Sequence, residues 1–168
     1  FIRDKSSVSA CCMFAELAAW AADRSLSIYQ LLQQVFLEYG LYKEQGVSVV
    51  RKGKTGAEEI EAMMKNFREN PLKTLAGSPV VEVLDYAKLQ GIWLDKGEVF
   101  TLDMPTTSNV LQYKTADGTK VSIRPSGTEP KIKFYIGVRG KVSSKEELPV
   151  AEAACLEKIA VIRQELGI

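Results

Sequence analysis

Between Asn109 and Val138 the chain alternates apolar and polar residues on both sides of two polar turns, and this limits its fold more than any other feature. Ile132, Phe134, Ile136 and Val138 alternate with Lys131, Lys133, Tyr135 and Gly137. Successive side chains of a strand point to opposite faces, so this segment has one face to bury and one to leave open. Residues Asn109 to Lys114 and Thr119 to Arg124 flank Asp117-Gly118, a strong signal for a tight hairpin. An antiparallel sheet covered on one face follows from this arrangement.

The remaining segments supply the cover. Residues 41 to 51, with Val47, Val49 and Val50, suit a strand, as do residues 79 to 86. Thr55-Gly56-Ala57-Glu58 reads as a capping box opening a helix that ends before Pro71. A final helix places Ala151, Cys155, Ile159, Ile162 and Leu166 on one face, with Pro149 in its first turn. The stretch from Leu75 to Thr107 is read as containing a short hairpin. Four antiparallel strands with two helices on one face is the simplest packing of this order, an α+β fold. Ahead of it lie two further helices. One is Ala-rich and spans residues 8 to 22, with Cys12, Ala15 and Ala19 on one stripe. The other starts at Ser27 with Gln30 three residues on, a second capping box, and stops at Gly40. These two have no core of their own. The reading divides the chain into residues 1–40, closing helices of a preceding α/β domain, and residues 41–168, a C-terminal domain.

Composition narrows the chemistry. Hydrophobic residues make up 46% of the chain, enough for a packed core. Its 22 basic and 21 acidic residues give a formal charge of +1, so nothing draws it broadly to nucleic acid or to an anionic membrane. No apolar run approaches the roughly 18 to 20 residues of a membrane span. There is no histidine, which removes Ser-His and Cys-His pairs and every histidine-based metal site. Cys11, Cys12 and Cys155 lack metal-site spacing, and each falls in an apolar helical pattern where a thiol behaves as a small buried hydrophobe.

One loop concentrates polar chemistry, from Arg124 through Pro125, Ser126, Gly127, Thr128, Glu129 and Pro130 to Lys131. Arg124 offers a planar fork of donors matched to two phosphate oxygens. Ser126 and Thr128 add hydroxyls, and Gly127 lets the backbone bend so that its N–H groups face an anion. The two prolines stiffen the flanks. On residue types alone, an anion site and a polar hairpin turn explain this loop equally well.

The string R-P-S-G-T-E-P-K-I-K resembles the C-terminal phosphate-binding loop of the α-D-phosphohexomutases, the phosphoglucomutase/phosphomannomutase family. Lys133 stands where many relatives carry a second basic residue. Phe1-Ile2-Arg3-Asp4-Lys5, followed by Val8-Ser9-Ala10, resembles a segment just after that family's sugar-recognition loop, with Ser6-Ser7 in place of its usual Asp-Gly. Val35 to Gly40 resembles the join between its third and fourth domains.

The resemblance implies an enzyme that interconverts hexose 1-phosphates and 6-phosphates in carbohydrate metabolism, in the cytoplasm, through a hexose 1,6-bisphosphate intermediate and with Mg2+. It implies a fourth domain similar to the TATA-binding protein. In the family a phosphoserine, a D-x-D-x-D magnesium loop and a sugar-selecting loop lie upstream, and none of these strings occurs here. The expectation is therefore a C-terminal piece, inactive alone, holding no catalytic group and no metal. Its partners are the phosphosugar and the N-terminal domains of the same chain. Arg124, Ser126, Gly127, Thr128 and Lys133 are assigned to the phosphate that is not reacting, and Lys5 to a contact with substrate in the whole enzyme. The choice between glucose and mannose is not written in these residues.

Other motifs weigh less. Gly53-Lys54-Thr55 lacks the glycine a P-loop requires, because position 48 is serine. Glu58, Glu59 and Glu61 spread around a helix rather than converging on a metal. Arg51, Lys52 and Lys54 read as a solvated patch, and Trp20 and Trp93 as packing residues. The alternative to the mutase is a nucleic-acid-binding α+β module, since open sheets with Lys, Phe and Tyr can hold single strands.

Overall fold

The computed structural model describes residues 5–51 and 53–168, apart from the side chain of Lys54. Its centre is one antiparallel sheet. The strands are β1 (Leu41–Val50), β2 (Thr74–Leu75), β3 (Ser78–Asp85), β4 (Gln90–Trp93), β5 (Glu98–Thr101), β6 (Leu111–Thr115), β7 (Lys120–Pro125) and β8 (Lys131–Gly140). They lie in the order β1-β8-β7-β6-β3-β4-β5, with β2 paired to β3 off this path.

The sheet is larger than the expected four strands. The β4–β5 hairpin within residues 75–107 adds to its edge, because β3 pairs with β6 on one side and β4 on the other. Strands of four residues are too short for alternation to stand out in the sequence. Two aromatic rings mark this edge: Trp93 stacks on Phe100 with centroids 5.0 Å apart.

Alternation elsewhere holds residue by residue. In the register, Ile132 lies opposite Val49 and Phe134 opposite Val47 on β1, while Ile123 on β7 faces Phe134 from the other side. Ile123, Ile132 and Phe134 are fully buried, and burying each such side chain contributes about 1.5–3 kcal/mol. Helices α3 (Gly53–Glu69) and α4 (Leu148–Leu166) supply the cover, with Ile60 and Met64 from α3 and Cys155, Ile159 and Ile162 from α4 in the same core. The opposite face, carrying Ser122, Arg124, Lys133 and Tyr135, is left open.

Helix α3 begins at Gly53, two residues before the expected start, so Thr55 lies inside its first turn rather than at its cap. The N-terminal helices are α1 (Ser7–Ala22) and α2 (Ile28–Tyr39). Ser27 and Gln30 form the expected reciprocal capping box on α2. Ser6 caps α1 by accepting from the Ser9 N–H at 3.2 Å. Of these two helices only Ala21 is buried among the described residues, and Met13, Phe14, Leu17, Tyr29 and Leu32 are exposed. Cys11 and Cys12 are therefore exposed, contrary to expectation; only Cys155 packs in the core. Apolar periodicity identified a face to be covered on α1 but could not say that the sheet here does not cover it.

Candidate functional site

The β7–β8 connection carries the chemistry. Hydrogen bonding closes the loop on itself: the Ser126 N–H donates to the Lys131 carbonyl at 2.8 Å, and the Lys131 N–H to the Glu129 carbonyl at 2.7 Å. The Ser126 Oγ lies 3.4 Å from the Thr128 N–H and 3.3 Å from the Glu129 N–H, accepting from both. A hydroxyl that accepts from the main chain keeps its own proton free to donate outward. Lys131 forms an ion pair with Glu129. That pairing, with Lys133 behind it, holds the Glu129 carboxyl below its ordinary range.

Gly127 does not take a left-handed conformation, and a Cβ built on it would meet nothing within 4 Å. The loop does not need glycine to turn here. What glycine provides is open space over the backbone between two hydroxyl-bearing residues.

Arg124 and Lys133 are direct cross-strand partners on β7 and β8. Parity along both strands sets them on the open face, opposite the buried Ile123, Ile132 and Phe134. Like charges directly opposite one another disfavour a sheet unless something compensates them. Neither side chain makes a hydrogen bond or ion pair among the described residues. Two cations without a direct carboxylate contact among the described residues thus stand side by side where the strands open into the loop, with Glu129 acting on Lys133 only at longer range.

On the helical side, the loop forms one wall of a groove of about 850 Å³ whose other wall is α3, with Ala57, Ile60, Met64, Lys65 and Arg68. Sequence reasoning missed this groove, since its cations, Lys65, Arg68 and Lys88, lie far from the loop in sequence and belong to no local motif. These cations already have partners. Arg68 Nε lies 3.1 Å from Asp85 Oδ2 and its Nη2 2.6 Å from Asn109 Oδ1. Lys65 pairs with Glu69 at 3.8 Å and Lys88 with Asp85 at 4.0 Å. Ser126, Gly127 and Thr128 line the groove, but Arg124 and Lys133 do not. Arg124 and Lys133, without an ion pair among the described residues, present their charge on the open face rather than in the groove.

This loop lies inside the segment that decides the family. Residues 47–155 match the domain described as phosphoglucomutase/phosphomannomutase, C-terminal domain. The chain belongs to the phosphoglucomutase/phosphomannomutase family. A phosphoglucomutase of Staphylococcus haemolyticus (strain JCSC1435) is 28% identical over 138 residues, covering 82% of this chain and 25% of the relative. A phosphoglucomutase of Staphylococcus aureus (strain MRSA252) is 31% identical over 139 residues, covering 83% of this chain and 25% of the relative. The chain thus spans about a quarter of the length of these relatives. Its fold is similar to part of pp63/parafusin from Paramecium, an exocytosis-sensitive phosphoprotein and phosphoglucomutase crystallised in an open form. The TM-score is 0.50 at 17% identity, over 99% of this chain and 29% of that one.

In this phosphoglucomutase/phosphomannomutase family member Lys5 lies outside the matched segment, just ahead of the Ser6 cap of α1, and does not line the groove. Its neighbours Arg3 and Asp4 lie outside the described residues. No helix among the described residues is long and apolar enough to cross a membrane.

Proposed function

We propose that this chain is the C-terminal, phosphate-gripping portion of a cytoplasmic phosphohexomutase that interconverts hexose 1-phosphates and 6-phosphates. The observation that supports the reading is the Arg124–Lys133 pair: two cations facing one another, neither in a hydrogen bond or ion pair among the described residues, at the mouth of a loop rich in hydroxyl donors. In this reading Arg124 grips two phosphate oxygens through its fork, Lys133 adds a point charge, and Ser126 and Thr128 donate from the loop. The bound phosphate is the one not reacting. Holding it supplies binding energy that orients the sugar for transfer elsewhere in the protein. Because a hexose 1,6-bisphosphate presents either end, the loop recognises a phosphate rather than one sugar carbon.

Residues 1–40 are read as the closing helices of a preceding domain and residues 41–168 as the phosphate-binding domain. Their exposed apolar side chains support this division. Lys5 is read as reaching the phosphosugar in the whole protein. Magnesium, which would help balance charge on the transferring phosphoryl group, does not fit here. No three carboxylate or thiolate side chains converge among the described residues, and no step of this reading runs through a metal on this chain.

Amide NMR of the chain tests the reading, titrated with glucose 1,6-bisphosphate and, separately, with a single-stranded oligonucleotide. Shifts confined to residues 124–128 and 133 with the bisphosphate support it. Shifts spread over the open sheet face with the oligonucleotide alone would overturn it.

A further inference from the structure

A main-chain hydrogen bond tethers the loop from outside. The Arg51 N–H donates to the Pro130 carbonyl at 2.9 Å, carrying the β1–β8 ladder one residue past Val50, which lies opposite Lys131. Arg51 is itself held against α3, with Nε 3.1 Å from Glu59 Oε2. Between them sits Gly56, buried in the first turn of α3. A Cβ built on Gly56 would lie 2.6 Å from both the carbonyl carbon and the carbonyl oxygen of Arg51, and 2.8 Å from its Cβ.

Contacts that short do not occur, so any other residue at 56 forces Arg51 or the start of α3 to move. Gly56 is not in a left-handed conformation, so the backbone itself does not require glycine. Glycine inside a helix is unfavourable compared with alanine. What it permits is the close approach of α3 to Arg51, whose main chain holds Pro130.

We propose that Gly56 is a positioning residue for the phosphate loop, acting through the Arg51–Pro130 hydrogen bond. The inference rests on the loop reading given above. Displacing Arg51 lengthens or breaks its bond to Pro130, which frees the Glu129–Lys131 arm that closes the loop. Ser126 and Thr128 then lose their fixed placement relative to Arg124 and Lys133. Misplacing a binding group by about an ångström can cost up to about 100-fold.

The test uses the intact protein carrying this chain, with Gly56→Ala and Glu59→Gln, the latter an exposed change that weakens the hold on Arg51. Two quantities are read: the inhibition constant of inorganic phosphate competing with hexose 1-phosphate, and hydrogen exchange of the Arg51 segment against residues 132–138. The expected result is about tenfold weaker phosphate inhibition in Gly56→Ala and a smaller change in the same direction in Glu59→Gln. Exchange at Arg51 should quicken while the sheet stays protected. Should Gly56→Ala fail to fold, Glu59→Gln carries the same comparison. Unchanged phosphate inhibition in the folded variants, or a loss that comes only with lost protection of the sheet, overturns the proposal. Kinetics unchanged by Arg124→Ala alone overturn the loop reading instead, and this inference with it.

Discussion

The Tyr113 hydroxyl donates a 2.6 Å hydrogen bond to the carbonyl of Phe67, joining the middle of the sheet to the last turn of α3. The final carbonyls of a helix have no partner within it, so this bond fills one of them. Phe67 also meets Phe134 edge to face, with ring centroids 6.1 Å apart. One residue on, Arg68 binds Asp85 and Asn109. The far end of the groove wall is thus fixed to β3, β6 and β8 at once, while its near end rests on Arg51.

Tyr113→Phe should destabilise the fold by about 1–3 kcal/mol, because the Phe67 carbonyl is left unpaired in a partly buried place while the ring still fills its space. Urea unfolding of wild type and variant measures it. A difference near zero would mean that water or another donor takes the position.

Alkaline stability follows from the same residue. Burial pushes the Tyr113 phenol well above its ordinary value, so folding favours the neutral form. Its contribution is fully present below about pH 10, where the unfolded phenol begins to ionise, and is lost as pH rises toward the folded-state value. Stability should fall between about pH 10 and pH 12, more steeply in wild type than in Tyr113→Phe. Parallel curves for the two proteins would assign the alkaline loss to other groups.

These two effects were not legible in the sequence, and the reason is instructive. The alternation around Phe134 and Ile123 announced one buried face and the hairpin at Asp117-Gly118, because both depend on neighbours in sequence. The capping box at Ser27 and the apolar stripe of α4 were legible for the same reason. Tyr113–Phe67 and Arg51–Pro130 join residues 46 and 79 positions apart, and no local pattern marks them. Thr55 looked like a cap, yet α3 starts earlier at Gly53, beside the strand end that Gly56 allows it to approach. The loop motif itself was plain. That Arg124 and Lys133 face each other required the β7–β8 register.

The hairpin turn supplies an acid-sensitive anchor. Asp117 Oδ1 accepts from Thr115 Oγ1 at 2.7 Å and from the Thr119 N–H at 3.1 Å, and Oδ2 pairs with Lys158 of α4. Burial works against its charge, but the donors from Lys158, Thr115 and Thr119 outweigh it and hold the carboxyl well below the ordinary range. This contribution is present above about pH 4, where an unfolded aspartate is ionised, and is lost as pH falls through the folded-state value. Asp117→Asn should cost about 1–3 kcal/mol at neutral pH, as expected for hydrogen bonds to a charged group. The gap to wild type should narrow in acid. A gap that stays constant down to about pH 2 would show that charge is not what the turn uses.

In the intact protein, Arg124→Ala should lower catalytic efficiency while leaving folding almost unchanged. Arg124 is exposed on the open face, so truncating it opens no core cavity and relieves like-charge repulsion with Lys133. The variant should be slightly more stable for that reason, which separates binding from folding cleanly. Losing a bidentate, charge-assisted contact costs roughly 2–4 kcal/mol where water is excluded. That is about 30- to 1000-fold in rate, at about 1.36 kcal/mol per factor of ten. Arg124→Lys should recover only part, since an ammonium restores charge without the fork. Steady-state kinetics beside thermal melts of the three proteins make the comparison. If efficiency is unchanged, or falls only with the melting temperature, the loop is a structural turn and the phosphate is gripped elsewhere.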